Sequence, residues 1–189
     1  MGEQKVETAK SLTGELLGGF ILFDIIFGLV LTIIKTLIVK SIDTESMIVL
    51  GLITIIFQAI LLFIIWEAAL AFTFRKKSIA YGEVPFLARN MMIIAVVFSF
   101  FGAINSFINI NEQVEKIVNE NPQVRLSEIY MNKLYSDEQI EEYKVQKQQK
   151  IQEVKHKLYL YFFGLHVILL FVYMGITALQ KKQIWKYAV

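Results

Sequence analysis

Cysteine is absent from this chain, and proline and histidine occur only twice each. The missing cysteine excludes disulfides, thiolate metal sites, iron–sulfur clusters and cysteine nucleophiles. The two histidines, His156 and His166, fall on one helical stretch, with His156 outside its apolar part. A single subunit therefore cannot offer them as the two axial ligands of one haem. A P-loop, an HExxH, a GxSxG and any paired-histidine carboxylate pattern are missing as well. No metal, cofactor or catalytic residue is expected, and the chain reads as a non-enzyme. Charge of one sign is scarce too. The formal net charge of +2 leaves no electrostatic footprint for nucleic acid.

What is abundant is uninterrupted apolar sequence, with hydrophobic residues making up 56% of the chain. Four runs stand out, at about 16–39, 47–74, 91–110 and 158–179. Each reaches the ~20 residues that a helix needs to cross a bilayer. The expected fold class is all-α: an integral membrane four-helix bundle with a helical extracytoplasmic extension between spans three and four. The expected organisation is 1–110 for three spans, 111–157 for the extension, and 158–189 for the fourth span with a basic tail. No small-residue cleavage site follows the first run, so it reads as a retained span and not a signal peptide. Val6 stands where a myristoylation motif after Gly2 would need Ser or Thr, so that modification is not expected.

Charge orients the spans. The connection after the second run carries Arg75, Lys76, Lys77 and Arg89 against Glu83 alone, and the tail adds Lys181, Lys182 and Lys186. With Lys5 and Lys10 near the N-terminus, these segments share one side in a four-span chain, and the positive-inside rule makes that side cytoplasmic. The turn at 41–46 with Asp43 and Glu45, and the charge-balanced segment 111–157, then face out.

The outward segment reads as helical. Ile110, Val114, Ile117 and Val118 continue the third run at helical spacing, and Asn121-Pro122 ends it, because proline disfavours helix at the residue before it. A short helix is expected around Leu126, Ile129, Tyr130 and Leu134. Ser136 then suits an N-cap, with Asp137, Glu138 and Gln139 completing the first turn. From there one helix is expected to run from about Asp137 to beyond Leu179, more than ~60 Å at about 1.5 Å per residue. Ile140, Tyr143, Ile151, Val154 and Leu158 form an apolar stripe on its outer half. That stripe either packs on the extended third helix or serves as an association surface for a partner.

Ionisable groups within apolar runs are costly and are functional candidates by default. Asp24 and Glu67 fall at similar depth in the first two runs, which form an antiparallel hairpin. They are the candidates for an ion or proton pathway, with pairing to Arg75 or Arg89 as the structural alternative. Gln58, Asn105 and His166 are expected to supply interhelical hydrogen bonds.

Three motifs carry a resemblance: Lys76 and Lys77 leading into Tyr81-Gly82-Glu83-Val84-Pro85-Phe86, the acid-rich Ser136-Asp137-Glu138-Gln139-Ile140-Glu141-Glu142, and the closing Lys181-Lys182. In these and in its layout the chain resembles a family of uncharacterised four-span membrane proteins common in Bacteroidota. The resemblance implies a bacterial inner membrane and transfers no site residues. Two functions are expected to compete. One is a subunit, scaffold or sensor-like accessory protein that acts through helix–helix association in the bilayer, as a homo-oligomer or within a larger complex. The other is a small homo-oligomeric ion or proton pathway.

Overall fold

The computed structural model of the chain describes residues 5–41, 47–120 and 137–189. The expected turn with Asp43 and Glu45, the Asn121-Pro122 break, the short helix around Leu126 and the Ser136 cap lie outside the described residues. Five α-helices dominate: α1 Ala9–Ser41, α2 Met47–Thr73, α3 Val84–Ile108, α4 Ile110–Glu120 and α5 Asp137–Ile184. Four of them, all but α4, are long and apolar enough to cross a membrane. The chain divides into two compact units, Met1–Phe100 with Val167–Val189, and Phe101–His166.

The first unit is organised around Trp66, whose side chain is fully enclosed at 0% exposure. The Phe20 ring of α1 lies 4.6 Å from it, and Phe98 of α3 meets Phe20 edge-on at 4.8 Å. The indole Nε1–H donates to Thr177 Oγ1 of α5 at 2.9 Å. Trp66 thus ties α2 to α1 and α5, and Phe20 carries the link on to α3. Ala9, Leu12 and Leu16, one helical turn apart, extend this core along α1. Beyond Phe20 the same helix exposes Ile25, Ile26, Leu29, Val30, Ile33 and Leu37. Gly19 of α1 faces α2 at ordinary van der Waals distance. A Cβ on Gly19 would lie 3.6 Å from Ala69 and from Phe72, whereas Gly18 and Gly28 have nothing within 4 Å.

At one end of this unit, here called the base, three chain segments meet in extended conformation. Strand β1 (Lys5–Glu7) pairs in parallel with β2 (Lys77–Ile79), Val6 opposite Ser78. Ile79, fully buried, also bridges to Ala188. Val189 N–H donates to the Ile79 carbonyl at 2.9 Å, and Tyr81 N–H donates to the Val189 carbonyl at 3.2 Å. Tyr187 stacks flat on Phe74, with ring centroids 4.4 Å apart. Lys77 forms a salt bridge with Glu15 of α1. The N-terminal segment, the α2–α3 connection and the C-terminal tail therefore share one end of the unit. The edge polar groups that two three-residue strands would otherwise leave open are partly satisfied by the tail.

The second unit is smaller. Its core is an aliphatic seam of Ile110, Val114 and Val118 from α4 against Leu158 of α5, with Phe107, Ile151, Val154 and Phe162 packed around it. The third helical stretch was expected to run on unbroken. Instead α3 stops at Ile108 and α4 starts at Ile110, with Asn109 as a turn between them. The hydrogen bonds from Asn109 N–H to Asn105 O and from Gln113 N–H to Asn109 O carry the helical pattern across. Among the described residues the long helix begins at Asp137, and it runs without interruption for 48 residues.

Candidate functional site

Several polar side chains inside the apolar helices are engaged in pairs, while Thr73 Oγ1 and Gln180 Oε1 are buried without a hydrogen-bond partner. Tyr173 Oη donates to Gln58 Oε1 at 3.3 Å, joining α5 to α2. Gln183 Nε2 donates to the Glu67 carboxylate at 3.3 Å, again joining α5 to α2. With the Trp66–Thr177 bond, three contacts fasten the last helix to the second within the first unit. Each leaves fewer polar atoms bare among apolar neighbours, where an unmade hydrogen bond costs about 1–3 kcal/mol.

Asp24 and Glu67, expected as a pair, have separate surroundings. Glu67 is held by Gln183. Asp24 makes no hydrogen bond or salt bridge to a described residue, and the partner it interacts with electrostatically is Tyr173. Neither arginine reaches either carboxylate. The Arg89 guanidinium instead lies 5.6 Å from the centre of the Phe86 ring.

In the second unit His166 is the polar centre. Its Nδ1 is 2.8 Å from the Phe162 carbonyl, and its Nε2 is 3.3 Å from Ser106 Oγ. A carbonyl only accepts, so Nδ1 carries a proton, and Nε2 faces the Ser106 hydroxyl, which also lies 3.1 Å from the Gly102 carbonyl. Both ring nitrogens are committed within the protein. Asn105 corrects the sequence-based expectation. Its side chain is exposed, and its neighbour Ser106 makes the contact between helices. An apolar helix with few polar residues gives no strong amphipathic signal, so a one-residue error in facing, about 100° around the axis, is easily made.

Of the two readings of the stripe on the long helix, three of its residues follow the first, packing within the chain. Ile151, Val154 and Leu158 turn onto α4 and complete the seam, so they are covered within the chain and not presented to a partner. Ile140 and Tyr143 are half-buried. The large apolar side chains that stay exposed on α4 and on α5 before residue 158 are Ile117 and Val145. Elsewhere the solvated face carries pairs such as Glu153–Lys157 and Glu141–Lys144.

The base holds an arrangement that sequence reasoning missed. The Glu83 carboxylate accepts the Ala9 backbone N–H at 2.9 Å, so an acid 74 residues away serves the first turn of α1. There it offsets the partial positive charge of the helix start. Beside it lies a cavity of about 350 Å³ lined by Ala9, Lys10, Thr13, Glu83, Phe86, Arg89 and Asn90. Asn90 Nδ2 donates to Thr13 Oγ1 at 2.8 Å, and Thr13 in turn donates to the Ala9 carbonyl at 2.6 Å. In the sequence these cations read as topology signals. The usable clue was a polar residue at the mouth of each of two apolar runs, Thr13 and Asn90.

Among the described residues no cluster of three or more His, Asp or Glu side chains could hold a metal ion. Comparisons with protein-family models, with curated proteins and with solved structures return no match. The likeness to four-span proteins of Bacteroidota accordingly rests on its short motifs alone.

Proposed function

We propose that this chain is a non-enzymatic multi-pass membrane protein, a four-helix bundle with both termini in the cytoplasm of a bacterial inner membrane. It acts as a scaffold or accessory subunit through helix–helix association. The observation that carries this reading is how the polar groups are spent. Glu67, Gln58, Trp66 and His166 are each bonded to another helix, which supports a structural use of these polar groups. The exposed apolar length of α1 supports the membrane part, since hydrocarbon is the solvent in which such a surface is stable.

On this reading the partner-facing element is the α4–α5 pair, whose own seam is already closed. Ile117 and Val145 are then the apolar positions left for contact. The test is native mass spectrometry of the protein extracted gently from its own membrane. A defined complex that is lost in Ile117→Lys or Val145→Lys, both of which spare the seam, is the expected result. A monomer with no associated chain would contradict it.

One observation favours a second reading, a homo-oligomeric ion or proton pathway. Asp24 is a half-buried carboxylate within an apolar helix, without a hydrogen bond or ion pair to a described residue. This reading expects flux into liposomes that Asp24→Asn abolishes and Glu67→Gln reduces. Flux that persists in Asp24→Asn would rule it out.

A further inference from the structure

The cavity at the base has the chemistry of a phosphate receptor. Lys10 and Arg89 line it, and neither has an acidic partner among the described residues. The one acid in the wall, Glu83, is committed to the start of α1. Its charge is partly offset there, and the cavity keeps a net positive character. Asn90 spends one amide proton on Thr13 and retains a second as a neutral donor. Phe86, half exposed, packs its ring face towards the Arg89 guanidinium. A cation held over a ring is restricted in orientation before a ligand arrives. The exposed face of the same ring offers apolar surface at the rim.

Depth supplies the second argument. Lys10 and Thr13 stand just before the apolar run of α1, and Arg89 and Asn90 just before that of α3. On the membrane reading proposed above, this is the level at which phosphodiesters lie. A cavity of about 350 Å³ accommodates a phosphate with its glycerol. We infer that this cavity binds the phosphate of an anionic phospholipid headgroup, with Lys10 and Arg89 as the charge partners and Asn90 as the neutral donor.

The test uses the full chain in nanodiscs of phosphatidylcholine doped with phosphatidylglycerol, with retained lipid identified by native mass spectrometry. Phosphatidylglycerol is expected to be enriched on the protein. Lys10→Gln and Arg89→Gln are each expected to weaken that enrichment about fivefold, the worth of one cation near a membrane surface. Arg89→Lys should keep most of it, and Lys182→Gln, a cation outside the cavity, should change nothing. Equal enrichment in all variants, or an equal loss from Lys182→Gln, would overturn the proposal. Release of the lipid by inorganic phosphate would assign the site to a free phosphate, and retention would assign it to the lipid. A chain that fails to insert into nanodiscs defeats the membrane reading itself. One that inserts but retains both lipids alike defeats only this inference.

Discussion

The two units of this molecule are held together by different means. The unit around Trp66 encloses large aromatic rings, fastens α5 to α2 with three side-chain hydrogen bonds, and knits three distant segments into a small parallel sheet. The unit around Val114 has an aliphatic seam centred on Ile110, Val114, Val118 and Leu158, flanked by the stacked rings of Phe107 and Tyr159 and by the contact of Ser106 with His166. In the first, three side-chain hydrogen bonds join the same two helices, whereas the core of the second is mainly apolar packing. The difference suits a division of labour between a framework and an arm, because elements that engage partners are drawn from the less stable end of a structure.

The largest effect that would sharpen this comparison is at Trp66. Trp66→Ala removes a fully buried ring and orphans Thr177, and it is expected to cost about 3–5 kcal/mol. It should loosen α1, α2, α3 and α5 together, read as a lower melting temperature in detergent. A local loss confined to α2 would break the idea of a shared centre. Leu158→Ala follows, at about 2 kcal/mol, because a thin seam collapses more readily onto the void. Amide hydrogen exchange should then rise in α4 and in α5 before residue 166, while the Trp66 region keeps its protection. Exchange rising equally in both units would deny that they are separate. The smallest contrast is between two glycines of α1. Gly19→Leu must push against Ala69 and Phe72 and is expected to cost about 1 kcal/mol. Gly28→Leu, with open space around it, should be neutral. Equal melting temperatures for the two variants would show that the α1–α2 approach at Gly19 is not tight.

Much of the helical framework was legible in the sequence because its signals are long. Four apolar runs marked the helices that are long and apolar enough to span a membrane. The sheet at the base was not legible. Its strands are three residues long, and they pair positions more than 70 residues apart, so no local periodicity announces them. Glu83 shows the same problem from the other side. It stood out as the lone acid in a basic connection, yet its role depends on α1 arriving beside it. The stripe at Ile151, Val154 and Leu158 was visible as a face, but the sequence could not say what covers it. An intramolecular and an intermolecular seam demand the same residues at the same spacing. Asn105 and Ser106 were confused because either is a plausible hydrogen-bonding residue, and only the geometry of the neighbouring helix chooses between them.

The central claim is a membrane protein with both termini and the α2–α3 connection on the cytoplasmic side and α4 with the part of α5 before residue 158 outside. The absence of native cysteine makes one measurement unusually clean: labelling of single-cysteine variants with a membrane-impermeant maleimide on intact cells. Val6→Cys, Tyr81→Cys and Val189→Cys are expected to stay unlabelled until the membrane is opened, whereas Val145→Cys is labelled from outside. Labelling of all four from the same side would contradict the account.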